Sequence, residues 1–192
     1  MPWLFSIGHS NHELDHFLDL LRANEVDVLV DVRSWPRSGY SRHFDQAPLR
    51  RSLEAAGVRY LFLGVELGGR PDDLDCYDET GHVLYDRVAA SAPFSAGIDR
   101  LLQGMSRYRV AMMCSEESPL ECHRRLLVGR VLADRGVTVR HIRGDGHVEE
   151  EGELIDPAGT AHPTLFDDGE TTLWRSTRSV SPSTRPRSSS GP

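Results

Sequence analysis

The chain has 192 residues, enough for one domain of ordinary size plus a tail. With 39% hydrophobic residues and no apolar run long enough to span a bilayer, it does not read as a membrane protein. Its start, Met1-Pro2-Trp3 with no basic leader, points to the cytoplasm. Three cysteines, an odd number, argue against a disulfide framework, and all 22 strongly basic residues are arginine, which removes Schiff-base lysines and the lysine of a phosphate-binding P-loop.

The elements follow in chain order. Residues 4–8 predict a short buried strand. Ser10-Asn-His-Glu13 has the spacing of a capping box ahead of a helix carrying Leu14, Phe17, Leu18 and Leu21. Residues 26–32 form a β-branched run, as in an interior parallel strand. A long loop over 33–46 is rich in arginine and aromatics, and residues 47–56 predict a helix stopped by Gly57. A third strand spans 58–63 and a second long loop 64–82. Residues 85–106 are helical with a break near Ala92-Pro93. The fourth strand, 110–114, ends on Cys114. Ser118-Pro119-Leu-Glu121 then reads as a second capping box with proline in the first helical position, which puts the next helix at 119–135. A fifth strand spans 137–142.

Strands alternating with helices imply an α/β fold, a Rossmann-like three-layer sandwich with a mainly parallel five-stranded sheet in the order 3-2-1-4-5. The domain so defined covers residues 1–145. An acidic extension, 146–174, and a Ser/Pro/Arg-rich tail without structure, 175–192, follow it. The net charge of −7 averages unlike parts: residues 145–170 hold nine acids and no arginine, and residues 175–192 four arginines and no acid.

Polar residues gather where strands end, which is where open α/β sheets bind ligands. They are His9 and Ser10; Asp31 and Arg33; Glu66, Gly68, Gly69 and Arg70; and Cys114 and Glu116, with Cys122, His123 and Arg124 following. Ile7-Gly8-His9-Ser10, Val30-Asp31-Val32-Arg33 with Pro36, Leu67-Gly68-Gly69, and Met113-Cys114-x-Glu116 followed by Cys122-His123-Arg124 resemble the DUF488 family over residues 4–145. The resemblance implies a small cytoplasmic α/β protein and marks these positions as a site, without supplying a reaction.

The residues allow several chemistries. Cys114, activated by His9 or His123 with Glu116 or Asp31 moving protons, would be a nucleophile. Arg33, Arg70 and Arg124 would hold a phosphate or carboxylate in bidentate fashion, with Ser10, Glu66, Gly68, Gly69 and Cys122 lining the same site. Alternatively Cys114 is a small hydrophobe and Asp31 an internal partner of Arg33. Zinc on Cys114, Cys122 and His123 suits the residue types. Against it, adjacent helical residues point about 100° apart, so no metal is assigned. A Cys114–Cys122 redox pair is rare in the cytosol. In the loop 33–51, five arginines stand against one acid, with Trp35, Tyr40 and Phe44 interleaved. Arg37 and Tyr40 there suit a nucleotide or nucleic acid as well as a solvated loop does. The expectation is an enzyme, a hydrolase or transferase acting on an anionic, phosphate-bearing partner. The alternative is a non-catalytic nucleotide- or nucleic-acid-binding module.

Overall fold

The computed structural model describes residues 2–154 and 174–182. It is an α/β fold on one mixed, mostly parallel sheet of six strands: β1 (Trp3–Gly8), β2 (Val28–Asp31), β3 (Arg59–Phe62), β4 (Val110–Cys114), β5 (Thr138–Ile142) and β6 (Val148–Glu150). The spatial order is β3-β2-β4-β1-β5-β6, with only β6 antiparallel to its neighbour. Both the expected count of five and the expected order 3-2-1-4-5 are therefore corrected. β4 enters between β2 and β1. All three are buried apolar runs, so hydrophobicity marks them as interior without saying which stands in the middle. β6, Val-Glu-Glu, is a half-polar edge of three residues and carries no strand signal of its own.

The helices are α1 (Leu14–Ala23), α2 (Gln46–Ala55), α3 (Tyr85–Ala90), α4 (Ala92–Met105) and α5 (Arg130–Asp134). α3 and α4 break at Ser91, whose hydroxyl accepts from the Phe94 N–H, with Pro93 in the first turn. Gly57 ends α2 in the left-handed conformation, at φ +79°. Neither expected capping box forms. Ser10 is itself left-handed, at φ +45°, and its hydroxyl turns to Asn11, so Glu13 precedes α1 without a side-chain cap. Ser118 Oγ accepts from Leu120 N–H two residues on, which makes a local turn instead of a cap. The helix after β4 consequently starts at His123, four residues late, with a π-helical stretch Arg124–Gly129 leading into α5.

Apolar side chains divide into two clusters. One joins Leu4, Val28, Val30 and Met112 to Val88, Phe94, Ile98, Leu127 and Leu132, so it packs α3, α4 and α5. The other joins Phe5, Ile7, Leu29 and Met113 to Phe17, Leu21, Leu49 and Leu53, so it packs α1 and α2. No helix of the described residues is long and apolar enough to cross a membrane.

Two stretches expected outside the domain lie against it. Residues 148–153, at the start of the acidic extension, supply β6 and a short 3-10 turn whose Glu151 pairs with Arg125 and His141. Residues 174–182 run across the α3 side. The Tyr85 N–H donates to the Trp174 carbonyl, the Trp174 indole N–H donates to the Leu126 carbonyl, and the Val83 N–H donates to Ser176 Oγ. An unstructured tail from residue 175 does not describe 175–182. Its remainder, like residues 155–173 of the acidic extension, lies outside the described residues.

Candidate active site

The strand order brings the ends of β2, β4 and β1 side by side, but the pleat divides the expected constellation. Asp31 stands in register with Met113, and both face α1 and α2. Cys114, one residue further, faces the opposite side of the sheet, among the residues that pack α3 to α5.

On the α1–α2 side, Asp31 is fully buried and its carboxylate is saturated. It accepts from the Arg33 backbone N–H and Nε–H, from Arg33 Nη2 at 2.6 Å, and from Tyr60 OH at 2.7 Å. Two further guanidinium contacts of Arg33 go to the Phe44 carbonyl and to His9 Nε2, at 2.9 and 3.0 Å. His9 donates from Nδ1 to the Ser10 carbonyl and stacks on Phe44, with ring centroids 4.4 Å apart. Burial, reinforced by the Arg33 charge, lowers the His9 pKa from 6.5 to about 4. His9 is therefore neutral, with its acceptor nitrogen occupied by Arg33. It touches Cys114 only through the backbone, its N–H donating to the Cys114 carbonyl. Asp31, Arg33 and His9 form a buried structural network. Phe44, likewise, is a core anchor of the arginine-rich loop and not a stacking platform.

Because the folded His9 pKa lies below its unfolded value, the unfolded chain takes up the extra proton. The contribution of neutral His9 to stability is then complete above pH 6.5 and falls away as pH drops toward 4, by on the order of 3 kcal/mol. Urea unfolding followed across this window should show the decline. His9→Gln should flatten it, and identical pH slopes for the two proteins would contradict a buried neutral imidazole.

On the α3–α5 side a cleft of about 540 Å³ is lined by Arg37, Gly69, Arg70, Tyr85, Cys114, Glu116 and His123, with residues 176–180 as one wall; Arg33, whose guanidinium is taken up by Asp31, borders it as well. Cys114 and His123 come from the end of β4 and the first residue of the following helix. His123 Nε2 lies 3.0 Å from the Val32 carbonyl, which can only accept, so Nε2 carries the proton and Nδ1 presents a lone pair. That lone pair points at Cys114 Sγ, 3.7 Å away, and at Cys122 Sγ, 3.9 Å away. Cys122 lies in the turn before the helix, so the 100° objection to its joining His123 does not hold. The late helix start removes the helical spacing on which it rests.

Cys122 lowers the Cys114 thiol by hydrogen bonding to it, against the effect of burial, and the Arg124 charge adds to this. Cys122 itself is pushed well up, first by burial and then by Cys114. Burial disfavours a charged His123, yet contact with Cys122 outweighs it and raises the imidazole.

Arg124 does not reach the cleft as a substrate clamp. It is 1% exposed and donates to Ser6 Oγ and to the carbonyls of Glu116 and Glu117, which fastens the loop after β4. Glycine is required beside it: a Cβ on Gly8 would lie 1.9 Å from the Glu116 oxygen. Gly69 serves the imidazole in the same way, since its Cβ would meet His123 Cγ at 2.6 Å.

The other expected residues lie elsewhere. Glu66 turns away to pair with Arg100, and Gly68 packs on Ser34, whose Oγ accepts from the Arg70 N–H. Ser10 donates its backbone N–H to the Ser115 carbonyl, and Tyr40 is fully exposed outside the cleft. Arg37 sits over Trp35, 5.5 Å from the ring centroid, between this cleft and a neighbouring groove of about 1030 Å³. Sequence reasoning missed Tyr85, Glu121 and residues 176–180. Tyr85 follows Val83-Leu84 and has the pattern of an ordinary core aromatic, and nothing local ties the distant segment to Cys114.

No curated protein and no solved structure matches the chain. The family model described as Domain of unknown function DUF488 matches residues 13–131, a stretch that holds β2 through the π-helical turn and with them the Cys114, Cys122 and His123 cluster; the chain belongs to the DUF488 family.

Proposed function

We propose that the protein is an enzyme, a hydrolase or transferase, acting on a phosphate-bearing substrate of nucleotide size in the cleft above Cys114 and His123. One observation carries this reading: Arg37 and Arg70 line the same cleft as the sulfur–imidazole floor, and neither has an ion-pair partner among the described residues. Their planar forks suit phosphate oxygens, and a cleft of about 540 Å³ suits a small ligand. The Trp35 ring beside Arg37 offers a face for a base. Glu116, exposed on the rim, is placed to carry a proton to or from the reacting group. The two apolar clusters support reading the fold as a Rossmann-like three-layer sandwich, in which a ligand at the strand carboxyl ends is the expected arrangement.

Titrating the full chain with nucleoside mono- and diphosphates, by calorimetry and by release of inorganic phosphate, tests this. Arg37→Ala and Arg70→Ala, each alone, should weaken binding about 10- to 150-fold, since hydrogen bonds to charged groups contribute about 1.5–3 kcal/mol each. Wild-type protein that binds neither phosphate nor any nucleotide defeats the reading. The groove of about 1030 Å³ over Trp35, Pro36, Arg37 and Arg42 favours the alternative, a non-catalytic nucleic-acid module. Salt-dependent oligonucleotide binding without turnover would select it.

A further inference from the structure

Cys122 has no part in a single-nucleophile site. It is wholly buried, does not line the cleft, and still points its sulfur at the same imidazole nitrogen as Cys114. Cys114 Sγ, Cys122 Sγ and His123 Nδ1 all lie within 4.8 Å of one another, and among the described residues this is the one such group of histidine, cysteine and acidic side chains. Tetrahedral zinc, with Zn–S near 2.3 Å and Zn–N near 2.0 Å, sets S···N at about 3.5 Å and S···S at about 3.8 Å. The two S···N separations here, 3.7 and 3.9 Å, are already close to that.

The surroundings match as well. A metal-binding histidine characteristically donates its other ring N–H to a carbonyl or carboxylate, which holds the ring and fixes its tautomer; here the Val32 carbonyl does so. The ring is also seated against Gly69, where no side chain fits. Each ligand is thus held by a different part of the fold: Cys114 by β4, Cys122 by the turn whose loop Arg124 fastens, and His123 by Val32 and Gly69.

We propose that Cys114, Cys122 and His123 bind one thiophilic divalent metal ion, zinc before others, with its remaining coordination position toward the cleft. Two sulfurs and one imidazole select zinc over the hard, oxygen-seeking cations. Three protein ligands, two of them on the cleft floor, are the pattern of a catalytic site and not of a closed structural one. The open position receives a water or a substrate oxygen, and this role rests on the phosphate-cleft reading above. Under the proposal Cys114 is a ligand, and the substrate's phosphate meets the metal and not the sulfur.

The test uses the reduced full-length protein, stripped of metal with a chelator and then titrated with Co(II) and Zn(II). One equivalent of Co(II) should produce the sulfur-to-cobalt charge-transfer band and the visible bands of a tetrahedral site, and Zn(II) should bleach them. Metal analysis of protein purified without chelator should find the same stoichiometry. Cys122→Ser should remove the charge-transfer band or weaken it severely. Cys76→Ser, which alters the cysteine outside the cluster, should leave it intact. Circular dichroism checks that each variant is folded, and Cys114→Ser and His123→Gln give the same assignment if Cys122→Ser does not fold. A folded, reduced wild type with no such band overturns the proposal, as does a band that survives loss of Cys122. Nucleotide binding measured on the metal-free sample keeps the two readings apart. If it persists while cobalt fails, only the metal site falls; a normal cobalt spectrum without any phosphate binding removes only the proposed substrate.

Discussion

Asp31→Ala should lower the free energy of unfolding by about 3–5 kcal/mol, the largest effect of any single substitution at the strand ends. The substitution deletes the carboxylate that neutralises Arg33 in a place where both side chains are within a few per cent of complete burial. Arg33 cannot give up its proton and has no second acid to turn to; its other contacts are the Phe44 carbonyl and His9. Tyr60 OH loses its acceptor in the same step. The cost therefore arises mostly from a stranded charge, and the double variant Asp31→Leu with Arg33→Met should recover much of it. Urea unfolding of wild type, Asp31→Leu, Arg33→Met and the double variant closes the cycle. A loss under about 1 kcal/mol for Asp31→Ala would show that water reaches Arg33.

Arg124→Met comes next, with an expected loss of at least about 3 kcal/mol, because three hydrogen bonds from a buried cation vanish and two loop carbonyls are left facing apolar surroundings. Methionine keeps much of the volume, so the effect reports the polar contacts and not a cavity. The readout specific to this role is thiol accessibility. With the Glu116–Glu117 backbone released from above Gly8, Cys114 and Cys122 should react with a thiol reagent well below the unfolding transition, while the wild-type pair reacts slowly. If Arg124→Met is destabilised but its thiols stay as protected as before, the loop is held by other contacts.

Much of the lining of the candidate cleft is readable along the chain because the residues are local to strand ends. Cys114, Glu116, His123, Gly69, Arg70 and Arg37 do share one cleft. What the chain does not reveal is which face of the sheet each strand end presents. Asp31 and Cys114 are equivalent as sequence, each closing an apolar run, and only their register, Asp31 beside Met113, separates them. Strand order was hidden for a related reason, since three doubly buried strands have interchangeable compositions. Both capping boxes misled through the same chemistry: a serine hydroxyl can satisfy a neighbour one or two residues away as readily as a helix N–H three away. The late helix start that resulted decides whether Cys122 and His123 can meet one ion.

The family match ends at residue 131, and the cleft does not. Its floor belongs to the matched stretch, whereas one wall, Ser176 to Val180, arrives from more than forty residues further along and is held by Trp174 and Ser176, by the Arg175–Asp78 and Arg178–Glu121 pairs, and by the Val180 N–H donating to the Gly81 carbonyl. The sulfur–imidazole floor and this wall are thereby carried on separable pieces of chain. A relative could keep the first and exchange the second by changing its C-terminus alone. By the same token, a version of this protein cut before residue 174 would retain its floor and leave the cleft open on one side.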